Sequence, residues 1–303
     1  MKKKLLFILC LLLMLPQASF ANVNYTGVPV LMYHHFTDDD NVSSPTVSRA
    51  NFERQMFYLY ENGYTTIHLK QLEDFIDGKI KLPAKTVVIT MDDGYRSNYE
   101  IAYPILKKYS MKATQFPIVS GISTRSEFST QDRFPHCSVD EMKVMRDIFD
   151  FQSHTWDLHF LTPDNRSVLL SSTTDTLFQD FTKASSTLSV MGYSTYAFSY
   201  PYGAYNQGIK NVLKSIGVRM AVTVQPGRVT QKTNKLEIPR YNVSGTMSFE
   251  EFKKIVSSDP NSQMQEFFKG ADPEQVKDEV PSAVITTPPP EQHGEFELSP
   301  TKK

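Results

Sequence analysis

The 303-residue sequence predicts an α/β protein whose mainly parallel sheet closes into a barrel. Two observations carry this expectation. From Val28 to Val224, short apolar runs alternate with longer segments of helical period about seven times, the pattern of repeated strand and helix. No glycine-rich nucleotide turn follows any of these strands, which disfavours the open, doubly wound alternative.

Each element has its own justification. Val30 to His34 reads as the first strand. Ser48 caps a helix that carries Phe52, Met56, Leu59 and Tyr60 on one face and stops at Gly63. Tyr64 to Ile67 is a second strand and Leu69 to Ile76 a short helix. Thr86 to Met91, TVVITM, is a β-branched third strand behind Pro83. A helix from about Tyr99 to Tyr109 and a strand from Ala113 to Val119 follow. Ser138 and Glu141 match a capping box that opens the next helix, and Phe149 to Ser153 alternates as a strand. Thr173 to Met191 is long enough for a helix and Tyr196 to Tyr200 reads as a strand. A helix from Asn206 to Ile216 ends at Gly217, and Met220 to Val224 is the last strand.

The two ends differ from this body. Residues 1–21 combine three lysines, an apolar run from Leu5 to Leu15 and small residues at Ser19 and Ala21, which reads as a cleavable signal peptide. A secreted or cell-envelope protein with no membrane span in its mature form is therefore expected. Loss of Lys2, Lys3 and Lys4 would move the formal charge from -1 to -4, not the balance of a nucleic-acid binder. Cys10 would leave with the leader. Cys137 then stands alone and the fold depends on its core rather than on an internal disulfide. From Ala271 to Lys303 there are six prolines, seven acids and one aromatic, too little apolar surface to fold. The expected organisation is a signal peptide at 1–21, one domain at 22–258 and a disordered tail at 259–303.

Four stretches carry candidate chemistry. TMDDGY, Thr90 to Tyr95, sets two carboxylates where an apolar strand meets a glycine. Neighbouring side chains diverge, so Asp92 and Asp93 can serve one centre in different roles, one on a cation and one on a proton. The same residues also fit a solvated turn.

SHTWDLH, residues 153–159, holds two histidines five positions apart. On a helix that spacing turns them about 140° from each other, and on a strand it puts them on opposite faces. If His154 ends a strand and the chain loops through Trp156, His159 can return to share a metal with His154 and a carboxylate, leaving positions open for water. In LMYHHF, strand alternation lets only one of His34 and His35 point into a central site, where it could act as a general acid or sit as a structural imidazole. SYPYGAY, Ser199 to Tyr205, runs a strand into a turn with exposed amides that could face an oxyanion; alone it is simply a turn.

In this order the stretches resemble the NodB-homology polysaccharide deacetylases, carbohydrate esterase family 4, over about Val28 to Val243. TMDDG is similar to the family's first motif, with Met91 for phenylalanine, which implies Asp92 as catalytic base and Asp93 as metal ligand. SHTWDLH resembles the second motif and implies His154 and His159 as ligands. Their spacing of five, rather than the usual four, is that of the branch acting on poly-β-1,6-N-acetylglucosamine in biofilm matrices. YPYG resembles the third motif and implies that the Tyr202 amide holds the oxyanion.

Two family features are missing. The C-terminal Leu-x-His that carries the acid is absent, but the same branch supplies it from an N-terminal Tyr-His strand, here Tyr33-His34. The third-motif arginine is also absent, Ser199 or Tyr200 standing near its place, and Arg240 in IPRYNV is the candidate substitute for orienting Asp92. The resemblance implies a distorted (β/α)7-type barrel forming a single catalytic domain. It implies a divalent metal, Zn²⁺ first with Ni²⁺ or Co²⁺ also suited, and an N-acetylated polysaccharide as substrate, removal of acetyl groups being the reaction. Peptidoglycan, chitooligosaccharide and acetylxylan are alternative substrates, and a non-catalytic carbohydrate-binding protein is the alternative of a different class.

Overall fold

Strand β1, Val28–Tyr33, is buried at all six positions. Strands covered on both faces read as unbroken apolar runs, and VPVLMY is one. His34 interrupts it, and β2 (His35–Thr37) resumes and pairs with β3 (Thr46–Ser48). A computed structural model describes residues 27–123 and 134–257; the expected signal peptide and tail lie outside the described residues.

Helix α1 (Arg49–Glu61) is capped by the Ser48 side chain, which accepts from the Asn51 N–H. It buries Phe52, Gln55, Met56 and Leu59, whereas Tyr60 is 56% exposed because it falls one residue beyond that stripe. Then come β4 (Thr65–Ile67), α2 (Leu69–Ile76) and β5 (Thr86–Asp93). A π turn at Asn98–Ala102 leads into α3 (Tyr103–Lys108), followed by β6 (Ala113–Pro117). The capping box read from Ser138 and Glu141 opens α4 (Val139–Val144), and β7 (Phe149–Phe151) follows.

The second half holds α5 (Thr174–Val190), β8 (Ala197–Ser199), α6 (Gln207–Ser215), β9 (Met220–Val222), β10 (Arg228–Val229), β11 (Tyr241–Asn242) and α7 (Phe249–Val256). A capping box of Ser248 with Glu251 starts α7.

The main sheet runs β10-β1-β5-β6-β7, with β11 beside β1 and β4 beside β5. Every pair except β1 with β10 is parallel. Among the described residues the ladder does not close. β8 and β9 pair with each other, and single bridges, Ser153 with Phe198 and Val222 with Ile238, join them to the rest. β7, β8 and β9 have three residues each; β7 pairs along β6, and β8 and β9 pair along each other.

The result is a single α/β domain whose mainly parallel sheet stays open among the described residues, where the sequence led one to expect a closed barrel. Because the strands are parallel, the ends of β1, β5, β7 and β8 open on one rim, where residues from distant segments can meet.

Candidate active site

β5 delivers the two carboxylates. Its apolar body stays buried through Met91, and the acids that end it are also buried, Asp92 at 3% and Asp93 at 6% exposure. Alternation puts Thr90 and Asp92 on one side of the strand, facing Arg240. Asp93 then takes a left-handed backbone, φ 67°, and Gly94 follows at φ 82°, so the two carboxylates leave the chain in different directions. A side chain at Gly94 would meet Pro117, whose Cβ lies 2.6 Å from the Cβ position.

Arg240 is wholly buried and every one of its donors is used. Nε donates to the Thr223 carbonyl at 2.9 Å; Nη1 donates to Thr90 Oγ1 at 3.1 Å and Asp92 Oδ1 at 2.8 Å. Nη2 donates to Asp92 Oδ2 at 2.7 Å and Ser199 Oγ at 3.1 Å. Ser199 Oγ in turn donates to Asp92 Oδ2 at 3.0 Å. Burial alone would raise the Asp92 carboxyl, but the Arg240 guanidinium, helped by His154 and His34, holds it below its ordinary value. Arg240 thus reaches Asp92 from a segment separate from the turn at 199–203.

The opening from β7 toward Trp156 carries the histidines. The His154 N–H donates to the Pro117 carbonyl at 3.2 Å, and its Nδ1 lies 2.8 Å from the Ser199 carbonyl oxygen. That oxygen can only accept, so Nδ1 carries the proton and Nε2 of the neutral ring presents a lone pair. This Nε2 is 3.4 Å from Asp93 Oδ1, and His159 Nε2 is 3.3 Å from the same oxygen. Thr155 between them adopts φ 76°, the irregular backbone that a spacing of five demands.

The Asp93 oxygen is buried and has no hydrogen-bond partner among the described residues. The three ligand atoms lie within 4.8 Å of one another. Three electron-pair donors converging on one point, one of them orphaned, are the chemistry of a cation site, and these residues could hold a divalent metal. Burial works against charge on Asp93, yet the surrounding imidazoles hold its carboxyl far below the carboxylate range. Burial and the neighbouring His154 bring His159 down to about 4. His154 goes the other way, burial being outweighed by Asp93 and Asp92.

The two remaining candidates flank this centre. His34 stands at the break between β1 and β2, its carbonyl accepting from Asn98 Nδ2 at 2.8 Å. It helps to lower both the Asp92 and the Asp93 carboxyls. His35 instead packs against Tyr95 and Phe134, with ring centroids 5.4 and 4.9 Å away, and burial lowers it to about 4. Tyr202 lies in the turn Pro201–Gly203 with φ 57°, its ring 4.8 Å from His159 and its hydroxyl donating to the His159 carbonyl at 3.4 Å.

Sequence reasoning missed Thr90 and the bridging part of Ser199. Thr90 was open to discovery, being two residues before Asp92 on the same strand face.

Residues 79–221 match the family model described as Polysaccharide deacetylase. The poly-β-1,6-N-acetyl-D-glucosamine N-deacetylase of Staphylococcus aureus is 31% identical over 212 residues, 70% of this chain and 72% of the relative. The chain belongs to the polysaccharide deacetylase family. YxkH of Bacillus subtilis is likewise similar, 32% identical over 235 residues and 76% of each chain.

Among solved structures, IcaB from Ammonifex degensii superposes with a TM-score of 0.66 at 26% identity, covering 76% of this chain and 96% of that one. The Streptococcus pyogenes deacetylase PplD, in complex with acetate, shares the fold with a TM-score of 0.65 at 24% identity, covering 76% and 98%. As a polysaccharide deacetylase the protein is a hydrolase of amide bonds.

Proposed function

We propose that this deacetylase removes acetyl groups from N-acetylglucosamine units of poly-β-1,6-N-acetylglucosamine, and that it does so outside the cytoplasm with a bound divalent metal. The observation that carries the reading is the convergence of Asp93, His154 and His159 beside an Asp92 clamped by Arg240. The substrate reading rests on the five-residue histidine spacing, on Tyr33-His34 at the N-terminal strand and on the likeness to the S. aureus enzyme. Export rests on the leader at 1–21.

Asp93, His154 and His159 would hold the cation, Zn²⁺ best suiting two imidazoles and a carboxylate, with Ni²⁺ or Co²⁺ next. When bound, such a cation supplies Lewis acidity to a water and to the acetyl carbonyl. Asp92 takes the proton of the attacking water. Its lowered pKa keeps it ionised, and the two-pronged bond to Arg240 fixes the plane of its carboxylate. The Tyr202 N–H donates to the oxyanion that develops on the acetyl oxygen, a contact of a kind worth ~3 kcal/mol. His34 protonates the departing nitrogen, because an amine leaves where an amide anion does not. The products are acetate and a glucosamine unit.

Acetate release from poly-β-1,6-N-acetylglucosamine, peptidoglycan, chitooligosaccharide and acetylxylan tests the proposal. The first should give the highest kcat/KM, chelator treatment should abolish release, and Zn²⁺ should restore it. Faster release from any other polymer would overturn the substrate, and full activity after chelation would overturn the metal.

A further inference from the structure

Asp180 has no counterpart in the chemistry above, yet it is the acceptor on which the histidine loop is built. It lies on α5, 9% exposed, and its carboxylate receives three consecutive backbone amides. Oδ1 accepts from the Trp156 N–H at 2.8 Å, and Oδ2 accepts from Asp157 at 2.9 Å and Leu158 at 3.2 Å. Successive N–H groups aimed at one centre form a concave anion site, filled here by a side chain of the same chain.

The other edge of the loop is held from β6's exit. Val119 N–H donates to the Thr155 carbonyl at 3.1 Å and Ser120 N–H to the Trp156 carbonyl at 2.8 Å, while Ser120 Oγ bonds Asp157 Oδ1 at 2.8 Å. One turn after Asp180, the Lys183 ammonium sits 3.9 Å from the centre of the Trp156 ring. The amides at 156–158 therefore curl toward α5 while the carbonyls of Thr155 and Trp156 point to the opposite side. That curl is what brings His159 back to within 3.3 Å of Asp93 after a five-residue excursion that no helix or strand could make.

We propose that Asp180 is a positioning residue that pre-forms the His154/His159 pair. The inference rests on the metal reading given above. A carboxamide has one accepting oxygen and one donating nitrogen, so Asp180→Asn keeps the shape of the side chain but sets a donor against at least one of the three amides.

The test uses the full chain, with Leu177→Ala as the control: that residue is buried on the same helix one turn earlier and makes no loop bond. Asp180→Asn should weaken Zn²⁺ affinity ~10-fold or more, measured by competition with a chelator, and change the Co²⁺ absorption spectrum. Leu177→Ala should lower thermal stability while leaving both unchanged. In metal-free wild-type protein the amides of Trp156, Asp157 and Leu158 should be protected from hydrogen exchange, and Asp180→Asn should release them.

Unchanged Zn²⁺ affinity in Asp180→Asn, or an equal loss in Leu177→Ala, would overturn the assignment. So would rapid exchange of the three amides in the wild type, a result that requires neither a folded variant nor a metal. Wild-type protein that takes up no Zn²⁺ would sink the metal reading, and the exchange pattern would still decide whether Asp180 holds the loop.

Discussion

Arg240 and Asp92 share a wholly buried ion pair, and a pair of that kind is costly unless every polar atom is satisfied. Here it is, since Thr90, Ser199 and the Thr223 carbonyl take the donors that Asp92 leaves over. Lysine is a point charge with three donors and cannot reproduce the fork. Arg240→Lys should therefore lower kcat ~100-fold or more and destabilise the protein by about 3 kcal/mol, with bound metal unchanged. Asp92→Asn should abolish turnover while leaving metal content intact. Metal analysis beside acetate release checks both, and an Arg240→Lys enzyme with wild-type kcat would remove Arg240 from the site. At this scale the sequence is unusually legible. Asp92 and Asp93 share one short motif and His154 and His159 another, and the fold brings Asp93, His154 and His159 together. Arg240 is legible only as a replacement, because nothing in IPRYNV announces a buried cation and its partner lies 148 positions away.

Among the described residues five non-glycine positions have positive φ, and three of them, Asp93, Thr155 and Tyr202, are in the candidate site. Strained backbone of this sort persists where the surroundings over-determine it, here by aiming side chains and amides that regular strands would send elsewhere. Gly94 extends the strain for a steric reason. At φ 82° a Cβ would come within 2.6 Å of Pro117 Cβ and 2.8 Å of its Cα, whereas Gly217 at φ 87° has nothing within 4 Å. Gly217→Ala should thus cost about 1 kcal/mol, the conformational penalty alone, and Gly94→Ala at least ~2 kcal/mol more. Urea unfolding of the two variants measures the difference, and equal losses would show that the approach to Pro117 relaxes freely. The helices are legible because caps and amphipathic stripes are local; α7, with Ser248 and Glu251, is open to the same reading that finds Ser138 and Glu141. Strands β2, β3, β10 and β11 are not: unlike the three-residue β4, β7, β8 and β9, they do not sit within a longer strand-like run, and they depend wholly on a distant partner.

On the scale of the molecule, two sheets meet along a seam that backbone pairing barely crosses, and the incomplete closure is what an alternation count cannot foresee. Counting strands gives their number, not whether each pairs on both sides. Side chains help to hold the seam at the end opposite the site. Glu73 of α2 is buried and accepts from Arg219, just before β9, at 2.8 and 3.1 Å; Lys235 approaches within 3.6 Å and Lys70 within 3.2 Å. Burial would raise the Glu73 carboxyl, but Arg219 and Lys70 together bring it below its ordinary 4.5. A carboxyl whose pKa is lower folded than unfolded adds stability at all pH values above the unfolded value, and loses it as pH falls through 4.5 to the folded one. Arg219 is half exposed, so water screens the pair, and Glu73→Gln should cost about 1–2 kcal/mol at neutral pH. The gap between wild type and Glu73→Gln, measured by urea unfolding, should hold between about pH 7 and 6 and shrink steadily below pH ~4.5. A gap that stays constant into acid would mean that Glu73 acts through shape rather than charge, and that the seam is held by packing alone.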